Sequence, residues 1–130
     1  MKKLKIEFNG STFYAQLFPD KAPQTISLLE KKCPFDSLLV AAKICDHEIQ
    51  WHTPVFYSEL ENPVFDQKPG SVIYYPKRQC ICVFYGETLP VAYCNQIGQI
   101  IPEDLPAFFA QAQTVWANQG GLVRTDIVDE

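Results

Sequence analysis

Two closely spaced cysteines are the residues with the most obvious capacity for chemistry. Cys80 and Cys82 lie two positions apart in the run QCICVFYG, so in a strand both project from one face. They could supply half of a metal site, which His47, His52 or Cys45 would complete. A second closely spaced ligand pair is missing, and cysteine is among the most buried residue types. We therefore interpret both as core residues and predict no metal and no other cofactor.

Cys45 and His47 form a second combination, that of a thiol nucleophile and a base. Such a pair needs neighbours that position and activate the thiolate. The surrounding sequence supplies none, and we interpret both residues as parts of a turn. No catalytic residue is predicted, and whether the protein is an enzyme stays open.

A further polar set is spread over a loop and several strand ends. The stretch SELENPVFDQKPG, residues 58–70, is polar and contains prolines, which predicts the longest loop of the chain. Polar groups around one mouth of an apolar barrel are how small-ligand pockets are built. Ordinary loop chemistry and internally satisfied tyrosine hydroxyls are the alternative. The predicted ligand-binding residues are Lys43, Glu61, Asn62, Tyr75, Tyr85 and Asn95.

Composition limits the class of protein and its partners. The chain has 130 residues, 47% of them hydrophobic, which suits one globular domain over residues 1–130. A net charge of −4 and eleven dispersed basic residues argue against nucleic acid as a partner. The start, MKKLKIEF, alternates charged with apolar residues, so we expect no signal peptide. No stretch approaches the roughly 20 apolar residues that a membrane helix needs, so we expect no membrane helix. Five irregularly spaced cysteines suit a reduced, cytoplasmic protein.

Two patterns predict how the fold begins. The segment LKIEF has the alternation of a half-buried strand, and Asn9-Gly10 favours the tight turn of a hairpin. Pro23 suits the first turn of a helix, where its missing N–H would have no partner anyway. Asp20 is placed to cap that end or to favour the helix dipole. Pro34 ends the helix.

Strands and loops follow through the middle of the chain. Residues 38–45, LLVAAKIC, predict a short buried strand, although periodicity alone does not exclude a helix. A strand is expected in EIQWH, and SVIYY pairs with QCICVFYG in a hairpin whose second strand should be central. After Pro90, another strand is expected from Val91, broken near Asn95 or Gly98.

The remaining elements complete a mainly β fold. A second helix is predicted from about Glu103 to Gln119 with Gly120 at its C-terminal cap, and GLVRTDIV predicts the last strand. About eight strands with polar alternation predict a closed antiparallel β-barrel. We expect the two α-helices to cap the two ends of this barrel. The predicted core stripe of the second helix consists of Leu105, Phe108, Phe109, Ala112 and Trp116.

Several stretches resemble known proteins. LFPDKAPQTISLLEKK resembles the segment of cyclophilins in which a strand ends in a Leu-Phe-x-Asp-Lys-x-Pro-x-Thr run before the first helix. DHEIQWHTPV, PGSVIYYPKRQCICVFYG and NQIGQI are similar to stretches in a family of small, uncharacterised prokaryotic proteins with a cyclophilin-like fold. The resemblance spans nearly the whole chain and implies a cyclophilin-like barrel. It implies no particular activity, because that family has no settled one.

Cyclophilins isomerise the bond before proline, and the resemblance would imply a substrate-binding arginine after the first helix. Between Cys33 and Pro76 there is no arginine, and the basic residues are Lys43 and Lys68. A lysine does not reproduce the planar guanidinium donor. The sequence therefore disfavours peptidyl-prolyl isomerase activity. The related family also often has a His-Ala-Arg-like stretch where this chain has AAKI, residues 41–44, so a shared chemistry that used that histidine would be missing here, with Lys43 as the only polar residue left.

We predict a protein that binds a small molecule or short peptide at a barrel mouth or surface groove, without clear catalytic residues. A peptidyl-prolyl isomerase and a subunit of a homo- or hetero-oligomeric assembly are the alternatives. The aromatic residues Phe56, Tyr57, Phe65 and Tyr74 are candidates for an exposed contact surface.

Overall fold

Within the residues that the computed structural model describes, 1–89 and 92–130, ten strands form one sheet that curls into a nearly closed antiparallel barrel. The sheet order is β3-β10-β1-β2-β9-β7-β8-β5-β4, and β6 pairs with β9 beside this path. Since β4 and β6 have two residues each, eight longer strands build the wall. The strands are β1 Lys2–Phe8, β2 Ser11–Leu17, β3 Phe35–Leu38, β4 Val40–Ala41, β5 Asp46–His52, β6 Pro63–Val64, β7 Ser71–Tyr75, β8 Cys80–Thr88, β9 Cys94–Ile100 and β10 Leu122–Asp129, and the helices are α1 Pro23–Lys32 and α2 Leu105–Ala112.

Large apolar side chains fill the barrel interior. Trp51 and Tyr74 are fully buried. The polar group of each forms a hydrogen bond inside the protein, as burial of these residues requires. The Trp51 indole N–H donates to Thr125 Oγ1 over 2.9 Å, and the Tyr74 hydroxyl donates to the Val55 carbonyl oxygen over 2.6 Å. The prediction that Tyr74 is exposed is therefore wrong. The helices cap the barrel through buried residues of the same core, Ile26 and Leu29 on α1 and Phe108 and Ala112 on α2.

The first hairpin is confirmed. Its strands β1 and β2 pair from Lys3 opposite Gln16 to Phe8 opposite Ser11. Asn9 has φ 52° and Gly10 has φ 74°, the positive values that a two-residue hairpin turn requires at both central positions.

The segment LLVAAKIC does not form the single buried strand that its apolar run predicts. Leu38 ends β3, the two residues of β4 follow, and Lys43–Cys45 form a 3-10 turn. Asp46 has φ 62° and already belongs to β5. The apolar run is therefore divided between the two edges of the sheet and a turn, a division that periodicity in eight residues does not reveal.

The second helix is shorter than predicted. A 3-10 turn precedes α2, and Gln113–Trp116 form another 3-10 turn after it. The tighter turn rotates the buried stripe after Ala112, so Val115 is buried and Trp116 is exposed, contrary to prediction. Phe109, within α2, is also exposed, contrary to prediction. Gly120 is not the cap, because its N–H donates to the Leu39 carbonyl. No helix in the described residues is long and apolar enough to cross a membrane.

Strand β9 has the predicted irregularity near Gly98. The β7–β9 register shifts there, since Val72 lies opposite Gly98 whereas Ile73 lies opposite Gln96. A Cβ atom on Gly98 would lie 2.6 Å from the Gln16 carbonyl oxygen, so the close approach of β2 requires a glycine. The predicted start of this strand at Val91, after Pro90, lies outside the described residues.

Helix α1 begins with Pro23, as predicted, but its N-terminus is capped from a distant loop. Asp20 makes no capping hydrogen bond there. Instead the Gln24 and Thr25 backbone N–H groups donate to the Glu61 carboxylate over 3.0 and 2.8 Å, and the Thr25 hydroxyl also donates to it. Burial alone would raise the pKa of Glu61. The three hydrogen bonds together lower it by more, so the pKa lies below its usual value.

The same contacts fix the long loop before β7. The Asn62 backbone N–H donates to the side-chain oxygen of buried Asn95, whose side-chain nitrogen donates to the Thr25 hydroxyl. Asn62 also donates through its side chain to the Gln96 carbonyl. Helix α1, the loop and β9 are thus held by one hydrogen-bonded network.

We predict that Glu61→Ala lowers the free energy of unfolding by about 1–2 kcal/mol at pH 7, because two helix N–H groups lose their acceptor. The loss should shrink as the pH falls through the lowered folded-state pKa of Glu61, since the carboxylate stabilises the fold only while it is ionised. Urea unfolding at pH 7 and pH 3 measures both. Glu59→Ala removes an exposed carboxylate from the same loop and should change little; equal losses in the two variants would contradict the cap.

We also predict that Gly98→Ala destabilises the protein by about 1–3 kcal/mol, because the new methyl group would overlap the β2 backbone. Gly121→Ala is the matched control, since its Cβ would meet no atom within 4 Å. Thermal unfolding compares the two. A melting temperature for Gly98→Ala equal to that of Gly121→Ala would show that β2 and β9 are not so closely packed.

Candidate functional site

Strand β8 is apolar on both faces, which creates a second, smaller core outside the barrel. Ile81, Val83 and Tyr85 belong to the interior, whereas the residues between them face outward. Because apolar side chains on the outer face must also be covered, loops fold over this part of the sheet. The outer cluster contains Ile73, Cys80, Cys82, Phe84 and Cys94.

Within the described residues, the cover over this outer face leaves a cavity of about 540 Å³. Its floor includes Ile73 of β7 and Phe84 of β8, and Phe65 from the long loop lies on one wall. The Lys43–Cys45 turn and Leu89, which follows β8, contribute further wall residues. We call this space the outer-face cavity.

Glu48 of β5 lines the outer-face cavity and is only 4% exposed. It lies opposite Phe84 in the β5–β8 register, and Gln50 lies opposite Cys82, so both polar residues face the outer apolar cluster. Glu48 Oε1 has no hydrogen-bond partner, the single buried side-chain nitrogen or oxygen of which this holds in the described residues. Buried polar atoms are nearly always paired, so this oxygen marks a place where a donor fits.

Burial raises the pKa of Glu48 above its usual value. The thiols of Cys82 and Cys45 and the positive charge of Arg78 oppose this shift by smaller amounts. Burial also raises the pKa of Cys45 and of Cys94 to about 12 each, with a further contribution from the charge of Glu48. These thiols therefore stay protonated at neutral pH and are poor nucleophiles.

His47 does not line the outer-face cavity with Cys45. Its Nδ1 lies 2.8 Å from the Glu87 carbonyl oxygen, and its ring packs edge-on against Tyr85. Gly86 permits this packing, because a Cβ atom there would lie 2.9 Å from the imidazole. Cys45 lies in a turn, as predicted, whereas His47 lies in strand β5 and packs beside β8, so the prediction of a turn position for His47 is wrong.

Two basic side chains line the same cavity. Arg78 comes from the Pro76–Arg78 3-10 turn between β7 and β8, and Lys43 comes from the turn before β5. The Lys43 ammonium lies 5.0 Å from the centre of the Trp116 ring, a cation–π contact. Arg78 is exposed and makes no ion pair or side-chain hydrogen bond within the described residues.

The predicted ligand-binding residues occupy three different places. Lys43 and Tyr75 line the outer-face cavity. Tyr85 points into the barrel and contributes to a separate, more open cavity beside α2, where it contacts Phe109. Glu61, Asn62 and Asn95 are brought together, but in the network that holds α1 and the long loop. Ligand binding by these six residues stays a prediction.

Cys80 and Cys82 are close, with their Sγ atoms 3.5 Å apart, and Cys82 lines the outer-face cavity. In the described parts of the chain, no three side chains of the His, Cys, Asp and Glu types are grouped so that they could hold a metal ion. Phe56 and Phe65 are exposed and Tyr57 is half-buried, and of these Phe65 lies at the cavity.

Sequence reasoning missed the two charged residues that now define the cavity, Glu48 and Arg78. The alternation in EIQWH placed Glu48 on a face expected to meet water. The sequence nevertheless contained a signal for the burial of Glu48. The central strand QCICVFYG is apolar on both faces, so both faces must be covered, and the cover extends over the strand that pairs with it. Arg78 lies just beyond the stretch between Cys33 and Pro76, where the resemblance to cyclophilins would imply an arginine.

Comparisons with known proteins agree with this fold. McbB, whose structure was solved in complex with tryptophan, superposes with a TM-score of 0.84 and is 22% identical over 95% of this chain; the chain spans only 44% of McbB. The solution structure of the hypothetical protein AF2241 from Archaeoglobus fulgidus superposes with a TM-score of 0.73, at 23% identity, over 95% of this chain and 92% of that one. At these identities the likeness shows the fold alone.

Sequence comparison adds the family. No curated protein matches the sequence of this chain. The family model described as Cyclophilin-like matches residues 2–115, which is most of the sequence. The resemblance found in the sequence motifs is thereby confirmed, and the chain belongs to the Cyclophilin-like family.

Proposed function

We propose that the protein binds a small organic molecule in the outer-face cavity, with Glu48 as the buried hydrogen-bond acceptor for it. The observation that carries this proposal is the unpartnered Glu48 Oε1, buried in the wall of a cavity. A buried acceptor without a donor costs about 1–3 kcal/mol, and more when it is charged. A ligand N–H or ammonium group would remove that cost.

The size and lining of the cavity support a small molecule rather than a peptide. A volume of about 540 Å³ lies within the range of about 300–1,000 Å³ that is usual for small-ligand pockets. Apolar residues such as Ile73, Phe84 and Leu89 can contact a ring or an aliphatic body, while Glu48 and Gln50 offer convergent polar groups. This combination of apolar wall and few polar anchors is typical of ligand sites.

The structural neighbour McbB supplies a first probe. It was solved in complex with tryptophan, a molecule with an aromatic ring and N–H donors. A ligand of that kind matches the apolar lining and the unpartnered carboxylate oxygen of this chain. Tryptophan is therefore included in the screen as one compound among many, since fold likeness at this identity carries no ligand with it.

We predict that a thermal-shift screen of amines, amino acids, heterocycles and short proline peptides finds at least one stabilising small molecule. Glu48→Gln should weaken its binding at least tenfold, because the ligand donor loses the carboxylate. Isothermal titration calorimetry measures the dissociation constants, and Glu59→Gln, which removes an exposed carboxylate, should leave them unchanged. Equal affinity in Glu48→Gln, or stabilisation by peptides alone, would contradict the proposal.

We further predict that Glu48→Gln raises the stability of the ligand-free protein at pH 8 by about 1–2 kcal/mol, because the amide needs no buried charge. For a carboxyl whose folded-state pKa is raised, the ionised group costs stability above its unfolded-state pKa, near 4.3 for glutamate. The gain should therefore be largest at pH 8 and should shrink towards pH 4. Urea unfolding across this range measures it, and a variant that is less stable than the wild type at pH 8 would show that Glu48 has a stabilising partner.

A further inference from the structure

The charges around the outer-face cavity are distributed unevenly. Lys43, Glu48 and Arg78 are its charged lining residues in the described part of the chain. The one carboxylate is buried in the wall, whereas both basic residues are exposed at its edge. A ligand in this cavity would therefore meet an acceptor at depth and positive charge near solvent.

Of the two cations, Arg78 is the one available for a ligand. The Lys43 ammonium already lies over the Trp116 ring. Arg78 has no partner within the described residues, yet it lines the same cavity as Glu48, Cys45 and Tyr75. Burial raises the pKa of each of these three groups, and the positive charge of Arg78 opposes that rise by a smaller amount, which agrees with a guanidinium in their neighbourhood.

An exposed arginine in a hairpin turn is most often a solvated surface residue, and the neighbouring Lys77 serves as an example. Lys77 is exposed in the same 3-10 turn but does not line the cavity. The two residues therefore differ in position, since Arg78 lines the cavity and Lys77 does not. A planar guanidinium also matches a carboxylate through two parallel hydrogen bonds, which an ammonium group does not.

We propose that Arg78 is the second anchor of this site and that the ligand is an amino acid with an apolar or aromatic side chain. Its carboxylate pairs with Arg78 at the cavity edge, and its ammonium group donates to Glu48 Oε1. The side chain of the ligand contacts the apolar wall, for example Ile73 and Phe84. This inference rests on the proposed function and specifies its ligand class.

Three related probes separate the two anchors. Tryptophan carries both charged groups, tryptamine lacks the carboxylate, and indole-3-propionate lacks the amine. Calorimetric titration of the wild type should give tryptophan, or phenylalanine in the same format, at least tenfold tighter binding than the corresponding amine or acid. The ring is common to the indole probes, so the difference reports the charged groups.

The variant Arg78→Gln should weaken amino-acid binding about tenfold or more and leave tryptamine binding unchanged. Glu48→Gln should weaken the binding of both tryptophan and tryptamine and spare indole-3-propionate. The control Lys77→Gln removes one positive charge from the same exposed turn and should change none of the affinities. Equal melting temperatures of the two turn variants will show that both remain folded.

Three outcomes would overturn this inference. Tryptamine that binds the wild type as tightly as tryptophan, or Arg78→Gln that behaves as Lys77→Gln does, would show that no carboxylate is recognised. An absence of binding by every amino acid tested at millimolar concentration would also overturn it. In each case the proposed function still stands if a compound of another class binds in a Glu48-dependent way, so failure of this inference and failure of the proposed function are distinguishable.

Discussion

The outer-face cavity depends on one constraint, that strand β8 must be covered on both sides. Its alternate residues face the barrel interior and the outer cluster, and both sets are apolar. A barrel wall normally has one wet face, on which polar residues alternate with the buried ones. Here the wet face is replaced by a second small core, and the chain must supply a cover from its loops. Because the described part of that cover consists of separate turns, a cavity lies between them.

The same constraint explains why a carboxylate is buried in a place that disfavours it. Glu48 occupies the outward position of β5 directly opposite Phe84, so the cover that buries Phe84 also buries Glu48. This burial lowers the stability of the ligand-free protein, because Glu48 Oε1 has no hydrogen-bond donor there. Strained or unsatisfied groups of this kind are concentrated at functional sites, since a ligand can provide what the fold lacks. The buried thiols nearby have raised pKa values and add apolar volume rather than reactivity.

The sequence correctly predicted structural features that depend on residues close together in the chain. The turn at Asn9-Gly10, the helix start at Pro23 and the irregularity near Gly98 depend on neighbours along the chain or on a missing side chain, and each is confirmed. Glu61 shows the limit of such reasoning, because its carboxylate caps a helix that begins 38 residues earlier, where Asp20 was the local candidate. Glu48 shows another limit, since its burial is decided by the face of β8, a strand far along the sequence. The apolar sequence QCICVFYG predicts that both faces of β8 are buried. It does not predict the outer-face cavity, because the loops that cover β8 lie elsewhere in the sequence.

The position of the cavity follows from how the barrel is filled. Trp51, Tyr74 and Phe108 are fully buried in the interior, and the two helices close its ends. A filled barrel offers no room for a ligand inside, so any binding site has to lie on the outside or at the rim, in spaces that loops enclose. Loops can change without disturbing the interior core, which lets one barrel carry different sites. The likeness to McbB therefore shows the barrel of this chain and no more, and the proposed ligand specificity would depend on residues around the cavity, above all Arg78 on its turn and Glu48 of β5.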